Sequence, residues 1–387
     1  MNRGETGRYE STVVGGESVR AFIPAPLPPV PPLEFHAPLQ GALSNAVLSL
    51  GRLDATSTLL PDPALFLYTY VRKEAVLSSQ IEGTQSSLSD LLLFELDEAP
   101  GVPIDDVTEV SNYVNALDHG LARLREGFPL SNRLIREIHA VLMSRGRGSG
   151  KLPGEFRRSQ NWIGGTRPGN AHFIPPPHTA VEECMAALEQ FLHAEHDGFP
   201  VAVRAGLAHV QFETIHPFLD GNGRIGRLLI TLMLCHARVL REPSLYLSLY
   251  FKQHRSIYYD LLDRVRREGD WEAWLMFFLE GARSTSEGAV ATTQRLTTMF
   301  QHDRGRIETT GRRAGSAIRV HDALKTRPIL TLNIISASTK LSFPAASSAM
   351  DMLVEMGIAR ELTGKRRNRL FVYEQYLSVL NEGTEAP

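Results

Sequence analysis

His216-Pro217-Phe218-Leu219-Asp220-Gly221-Asn222-Gly223-Arg224-Ile225-Gly226-Arg227 gathers one imidazole, one carboxylate, three glycines, an amide and two guanidiniums in twelve consecutive residues. Leu228, Leu229 and Ile230 follow at once, so the stretch is a loop running into a buried helix. Glycine reaches positive φ freely and lets a ligand approach the backbone. Gly221, Gly223 and Gly226 therefore suit a turn that offers its N–H groups to an anion, with the positive end of the following helix aimed at the same spot. Arg224 and Arg227 are three residues apart and share a helix face. Two guanidiniums beside an anion nest suit a di- or triphosphate. Asp220 would be repelled there unless Mg²⁺ bridged it to the phosphates, a donor set that Mg²⁺ favours. His216 is the side chain of this stretch that accepts a proton near pH 7, hence a general base. Phe218, between polar neighbours, is expected to point into the core and fix the loop. No Lys-Ser/Thr follows the glycines, so this is not a P-loop.

At every fixed position the stretch resembles the signature of the Fic family, His-x-Phe-x-(Asp/Glu)-Gly-Asn-Gly-Arg-x-x-Arg. The resemblance implies a mainly α fold, a helical bundle with a small β-hairpin flap. It implies transfer of AMP from ATP to a hydroxyl side chain (Tyr, Thr or Ser) of a target protein or of the chain itself. His216 would deprotonate the hydroxyl and Asp220 would hold Mg²⁺. Asn222 would contact the α-phosphate, and Arg224 and Arg227 the β- and γ-phosphates, with Gly221, Gly223 and Gly226 lining the phosphate site. Doc-type kinases of the superfamily carry Lys in place of Gly223 and transfer phosphate, so Gly223 favours adenylylation. Two alternatives stay open: a DNA-binding transcriptional regulator in which this domain is secondary, and an enzyme that removes AMP or transfers another phosphate-linked group.

A second carboxylate lies far upstream. Residues 65–81 have helical apolar periodicity (Phe66, Leu67, Tyr70, Val71, Ala75, Val76, Leu77) and run into Glu82-Gly83. Gly stops a helix. A Glu in the last turn meets the negative end of the dipole and needs a cation from elsewhere. Ser78-Ser79-Gln80-Ile81-Glu82-Gly83 resembles the inhibitory motif of autoinhibited Fic proteins, (Ser/Thr)-x-x-x-Glu-(Gly/Asn). The resemblance implies that Glu82 pairs with Arg227 and occupies the γ-phosphate position, with Ser78 part of the same inhibitory element. It places the chain in the class with an N-terminal inhibitory helix.

Residues 156–177 hold short β-type runs separated by Gly and Pro turns, which predicts a hairpin. It resembles the Fic flap. By that resemblance Ala171, His172, Phe173 and Ile174 dock the target through main-chain hydrogen bonds. Within 254–269, Tyr258 and Tyr259 resemble a Tyr pair of related proteins, and Tyr258 is the expected adenine-pocket ring. His209 is read as helix packing.

With 387 residues, 43% hydrophobic and 22% charged, the chain has room for two globular domains. A net charge of −2 exerts no general pull on nucleic acid or anionic membrane. The two cysteines, Cys184 and Cys235, lie in apolar, helix-like surroundings and read as reduced core thiols of a cytoplasmic protein. No run of 18 apolar residues predicts a membrane span. Residues 1–35 read as an extended Pro-rich arm, 36–283 as the catalytic domain with its inhibitory helix at 65–82, and 284–312 as a helical connector. Helices are expected at 104–125, 130–144, 178–195, 200–215, 224–241 and 271–281.

The last part, 313–387, reads as three short helices (317–326, 329–341, 345–356), then a strand (358–362), a turn and a strand (370–373), an order that resembles a winged helix-turn-helix. Residues 310–387 carry 11 Lys and Arg against 7 Asp and Glu, with the excess in the turn around Lys365–Arg369. The third helix has no Lys or Arg, whereas a recognition helix brings cations or amides to a groove. Partner docking or homodimerisation is thus expected of this part ahead of duplex DNA. ATP as substrate, Mg²⁺ and a hydroxyl-bearing protein complete the expected set of ligands and partners.

Overall fold

The computed structural model describes residues 3–59, 63–96, 101–194, 198–365 and 368–385. The chain opens with a hairpin, β1 (Gly7–Val14) and β2 (Glu17–Pro24). Ten helices follow: α1 (Ala37–Leu59), α2 (Pro63–Ile81), α3 (Leu88–Phe94), α4 (Ile104–Arg125), α5 (Asn132–Leu142), α6 (Val181–His193), α7 (Val201–Ile215), α8 (Asn222–His236), α9 (Ser248–Gln253) and α10 (Arg255–Glu268). α11 (Trp271–Glu308) then runs 38 residues into the last part of the chain. That part contains α12 (Ala314–Thr326), β3 (Ile329–Thr331), α13 (Leu332–Thr339), α14 (Phe343–Glu355), β4 (Arg360–Glu361), β5 (Leu370–Val372) and α15 (Glu374–Asn381).

Local chemistry sets several of these boundaries. Asp105 and Asp106 in the first turn of α4, and Arg123 and Arg125 in its last, complement the helix dipole. Ser87 and Asp90 form a capping box on α3. Gly269, at φ 66°, ends α10, and the Asp270 side chain caps α11. α8 lies at the centre, with every residue from Arg224 to Leu234 buried. α7 packs along it, α4 and α5 flank it, and α2 crosses its N-terminal end. The expected mainly helical fold is observed.

Four expectations need correction. Residues 1–35 are not simply an extended arm: β1 and β2 pair antiparallel from Gly7↔Pro24 to Val14↔Glu17 around a Gly15-Gly16 turn. Both glycines have positive φ, which a two-residue hairpin turn requires. The helix at 271–281 and most of the connector at 284–312 are one continuous helix that ends at Glu308, because no Pro interrupts it. Ile329–Thr331 is a strand paired with β5, and the helix starts only at Leu332, where the Thr331 side chain caps it. The flap is no regular hairpin: residues 156–177 hold a single bridge, Ile163↔Phe173, between turns. In the last part the order is helix, strand, helix, helix, strand, strand, with β3-β5-β4 forming an antiparallel sheet. Arg366 and Arg367 lie outside the described residues. No helix among the described residues is long and apolar enough to cross a membrane.

Candidate active site

The loop from His216 to Gly221 joins two buried helices, α7 and α8, and three side chains hold its shape. Phe218 is fully buried and stacks on the His139 ring at 3.7 Å and 5°. His139 Nδ1 accepts from the Gly154 N–H (2.9 Å), which leaves Nε2–H to donate to the Asp220 carbonyl (3.0 Å). Burial pushes the pKa of this ring down to about 4, so it stays neutral in that role. The third prop is Asn222. Its Oδ1 accepts from Phe218 N–H and its Nδ2 donates to Phe218 C=O, both at 2.8 Å. Its side-chain amide thus braces the loop with one of its two N–H groups and one lone pair of its oxygen.

Gly221 precedes α8 at φ 77°, a left-handed conformation that favours glycine. Beyond it the N–H groups of Asn222, Gly223 and Arg224 have no hydrogen-bond partner among the described residues. A bare helix N-terminus is an anion site. The other two glycines of the stretch serve packing. A Cβ on Gly223 would overlap Glu82 Oε1, and one on Gly226 would overlap Glu213 Oε1.

Arg227 is buried, and among the described residues its hydrogen-bond partners lie on or just after α2. Its Nε donates to Ser78 Oγ (2.8 Å), and its Nη2 donates to Ser78 C=O (2.8 Å) and Glu82 Oε1 (2.7 Å). Glu82 is 36% exposed in its side chain. Burial disfavours its charge, but Arg227, then Arg224, outweighs that and holds the carboxyl below its ordinary range. The structure thus contains a Glu82–Arg227 ion pair and two Arg227 hydrogen bonds to Ser78. Arg224 donates to Glu109 of α4 (3.2 Å) and lies 3.5 Å from Asp220 Oδ1. Asp220 is 45% exposed in its side chain, at the mouth of the bare N-terminus.

His216 caps α7 in the left-handed region, φ 49° and ψ 60°. Burial, then the Arg157 cation, lowers its pKa to about 4, so through the physiological range the imidazole is neutral and keeps a ring lone pair that can accept a proton. One turn earlier, Glu213 is buried under Gly226 with its Oε1 lacking a hydrogen bond, and burial raises its pKa to about 7.

Two sets of expected residues are placed differently. Tyr258 is fully buried and bonds His209 Nε2 through its hydroxyl (2.8 Å), within a ring cluster that includes Phe251 and Trp274. It presents no free face, whereas Tyr259, 5.0 Å away between ring centres, is exposed. In the flap, Phe173 N–H and C=O are both used by Ile163, and Ile174 C=O accepts from Phe22 N–H of β2 (2.9 Å). The outer edge at Ile174 is thus already covered by the chain's own hairpin, while Ala171 and His172 remain at the turn. Sequence reading missed Arg157, His139, Glu109 and Glu213. Of these, His139 alone left a trace, a polar residue on the apolar face defined by Ile135, Ile138 and Leu142.

Residues 40–122 match the family described as Fic/DOC family N-terminal, and residues 129–234 match Fic/DOC family. These two stretches belong to the Fic/DOC family. The protein adenylyltransferase Fic of Drosophila erecta is 32% identical over 186 residues, 48% of this chain and 34% of that protein. The protein adenylyltransferase Fic of Culex quinquefasciatus is 33% identical over 214 residues, 53% of this chain and 39% of that protein. The chain thus spans little more than a third of the length of these curated relatives. Among solved structures, a Fic family protein from Desulfovibrio desulfuricans G20 superimposes with a TM-score of 0.59 at 19% identity, over 88% of this chain and 97% of that one. A Fic domain signalling protein from Bacteroides thetaiotaomicron does so at 0.51 and 19% identity, over 63% and 95%. These two likenesses establish the Fic fold.

Proposed function

We propose that this chain is a protein adenylyltransferase held back by its own Glu82. The observation that carries the proposal is the bare N-terminus of α8, bracketed by Arg227, Asp220 and the neutral base His216, with Glu82 in place of an anion on Arg227. The triphosphate of ATP lies on the N–H groups of Asn222, Gly223 and Arg224. His216 accepts the proton of a target Tyr, Thr or Ser hydroxyl while that oxygen bonds the α-phosphorus. The bond from the α-phosphorus to the bridging oxygen breaks, and pyrophosphate leaves. Asp220 fits Mg²⁺: it is a half-exposed carboxylate beside a phosphate site, and no cluster of three or more His, Cys, Asp or Glu among the described residues offers a protein-only cage. Bound there, Mg²⁺ would neutralise phosphate charge. Tyr259, with its exposed face, takes the adenine role first assigned to Tyr258.

In the same reading, residues 313–387 form a winged helix-like domain that docks a partner or a second copy. Two of its cations are neutralised from within: Arg369 pairs with Glu361 (2.8 Å) and Asp351 (3.4 Å), and Arg360 pairs with Glu374 (2.9 Å). That favours a protein partner over duplex DNA.

The test uses α-labelled ATP with wild type, Glu82→Gly and His216→Ala, with and without cell lysate. Glu82→Gly should raise label incorporation at least about tenfold, the factor that about 1.4 kcal/mol of lost bias represents. His216→Ala should abolish it. Equal labelling of wild type and Glu82→Gly would remove autoinhibition, and label surviving His216→Ala would remove the base.

A further inference from the structure

Arg157 is a buried cation that faces no carboxylate in the described structure. Its residue is 2% exposed, and its donors end on main-chain oxygens. Nε donates to His216 C=O (2.9 Å) and Nη1 to Ser159 C=O (3.2 Å). Nη2 donates to Pro176 C=O (2.5 Å) and, more distantly, to Ile215 C=O (3.5 Å). Its own N–H donates to Pro217 C=O (2.9 Å). Burying a guanidinium without a counter-ion is costly, and burial lowers its pKa to about 10. The C-terminal end of α7 offsets part of that cost, because its last carbonyls are orphaned and carry the negative end of the dipole.

The partners fall into two groups. Ile215, His216 and Pro217 carry the base. Ser159 and Pro176 are the two legs of the flap. One planar fork therefore joins them, which a lysine, with a single point of charge, cannot reproduce. His216 also needs an external hold, since a non-glycine residue at φ 49° is strained.

We infer that Arg157 is a positioning residue for group transfer: it clamps His216 in its left-handed turn and fixes the flap, with the target it carries, at a set distance from that base. The inference rests on the reading of His216 as base. The surroundings of His216 give it a second signature. The charged groups that act on the imidazole are Arg157 at the flap base, Glu82 after α2 and Arg266 on α10; Glu213 contributes through its backbone on α7. Arg157 and Arg266 disfavour the imidazolium and Glu82 favours it, so removing Arg157 tips the balance towards protonation.

The experiment compares Glu82→Gly with Glu82→Gly/Arg157→Met and Glu82→Gly/Arg157→Lys, following AMP transfer against pH and ATP binding by calorimetry. Arg157→Met should lower kcat between about ten- and a hundredfold, the cost of a misplaced catalytic group. Its acid limb should move up by about one pH unit, and the Kd for ATP should stay within about threefold of the parent, since no phosphate contact is touched. Arg157→Lys keeps the charge and loses the fork, so kcat should fall while the acid limb stays in place. An Arg157→Met protein with parental kcat and acid limb overturns the inference. Should that variant fail to fold, an Arg157→Lys protein with parental kcat overturns it equally. Absence of transfer in Glu82→Gly itself would instead mean that the adenylyl-transfer reading has failed, and the inference with it.

Discussion

A methyl group on residue 223 would overlap Glu82 Oε1 and come within 3.0 Å of Arg227 Nη1. Both neighbours belong to the inhibitory pair, so glycine at this position is what lets Glu82 reach Arg227. Gly223→Ala should therefore expel the Glu82 carboxylate and raise basal AMP transfer several-fold, without exceeding Glu82→Gly. In the Glu82→Gly background the space is empty, and adding Gly223→Ala should change little. A Gly223→Ala protein as silent as wild type, with the double variant fully active, would refute this crowding. The two ends of the contact were legible from motif spacing, since Ser78, Glu82 and Arg227 each fell in a recognisable pattern. The reason for Gly223 was not, because it depends on a helix 140 residues away in sequence. Asn222 illustrates the same limit. Its amide could serve a ligand or its own loop, and only the fold shows that Phe218 N–H and C=O both bond to it.

Among the elements, α4 and α7 begin and end within a residue of expectation, each starting directly after a proline, Pro103 and Pro200. The strands were harder. Alternation in β1 and β2 is weak because no residue of β1 is buried while Ala21 to Pro24 of β2 are buried in succession, and the Pro-rich run after Pro24 concealed the Gly15-Gly16 turn. The flap failed for a different reason, since its strand partner is supplied from elsewhere. β2 gives it the Phe22–Ile174 hydrogen bond, the Phe22 ring packs 6.2 Å from Phe173, and Arg167 pairs with Glu17 at 3.0 Å. On the other side of Phe173 lies the Arg266 guanidinium, 4.1 Å from the ring centre. The flap is thus a strand held between the N-terminal hairpin and α10, and the edge left for a target is that of Trp162 and Gly164. Phe22 is fully buried, so Phe22→Ala removes about 3 kcal/mol or more of packing at this seam. Amide exchange at 162–174 should quicken and KM for the target should rise several-fold, while ATP affinity holds. Unchanged exchange in the flap would show that the hairpin does not support it.

On the scale of the whole chain, α2, which the proposed function makes the inhibitory helix, is gripped by residues 381–385. Lys73 Nζ donates to Glu382 C=O (2.7 Å), and Gln80, two residues before Glu82, donates to Thr384 C=O (2.9 Å). Lys252 bridges Gln80 Oε1 (2.7 Å) and Glu385 C=O (2.5 Å). Asn381 donates to Ser89, and Glu382 is held by both Nη atoms of Arg295. Burial lowers the Lys73 pKa to about 8, so this cation has been drawn out of water to make its contact. Residues 381–385 therefore fasten α2 at the point where it delivers Glu82, and displacing them should loosen the inhibitory carboxylate. Gly383 offers a way to do so, because at φ +81° it is left-handed and a Cβ would meet Leu249 Cδ1 at 2.7 Å. Gly383→Val should raise basal AMP transfer above wild type by roughly the two- to tenfold that 0.5–1.4 kcal/mol of lost restraint represents. It should add nothing in the Glu82→Gly background, where the position of α2 no longer governs Arg227. Equal stimulation in both backgrounds would place the effect on catalysis rather than on inhibition. No stimulation in either, with residues 381–385 shown by amide exchange to be released, would mean that α2 holds its place without them.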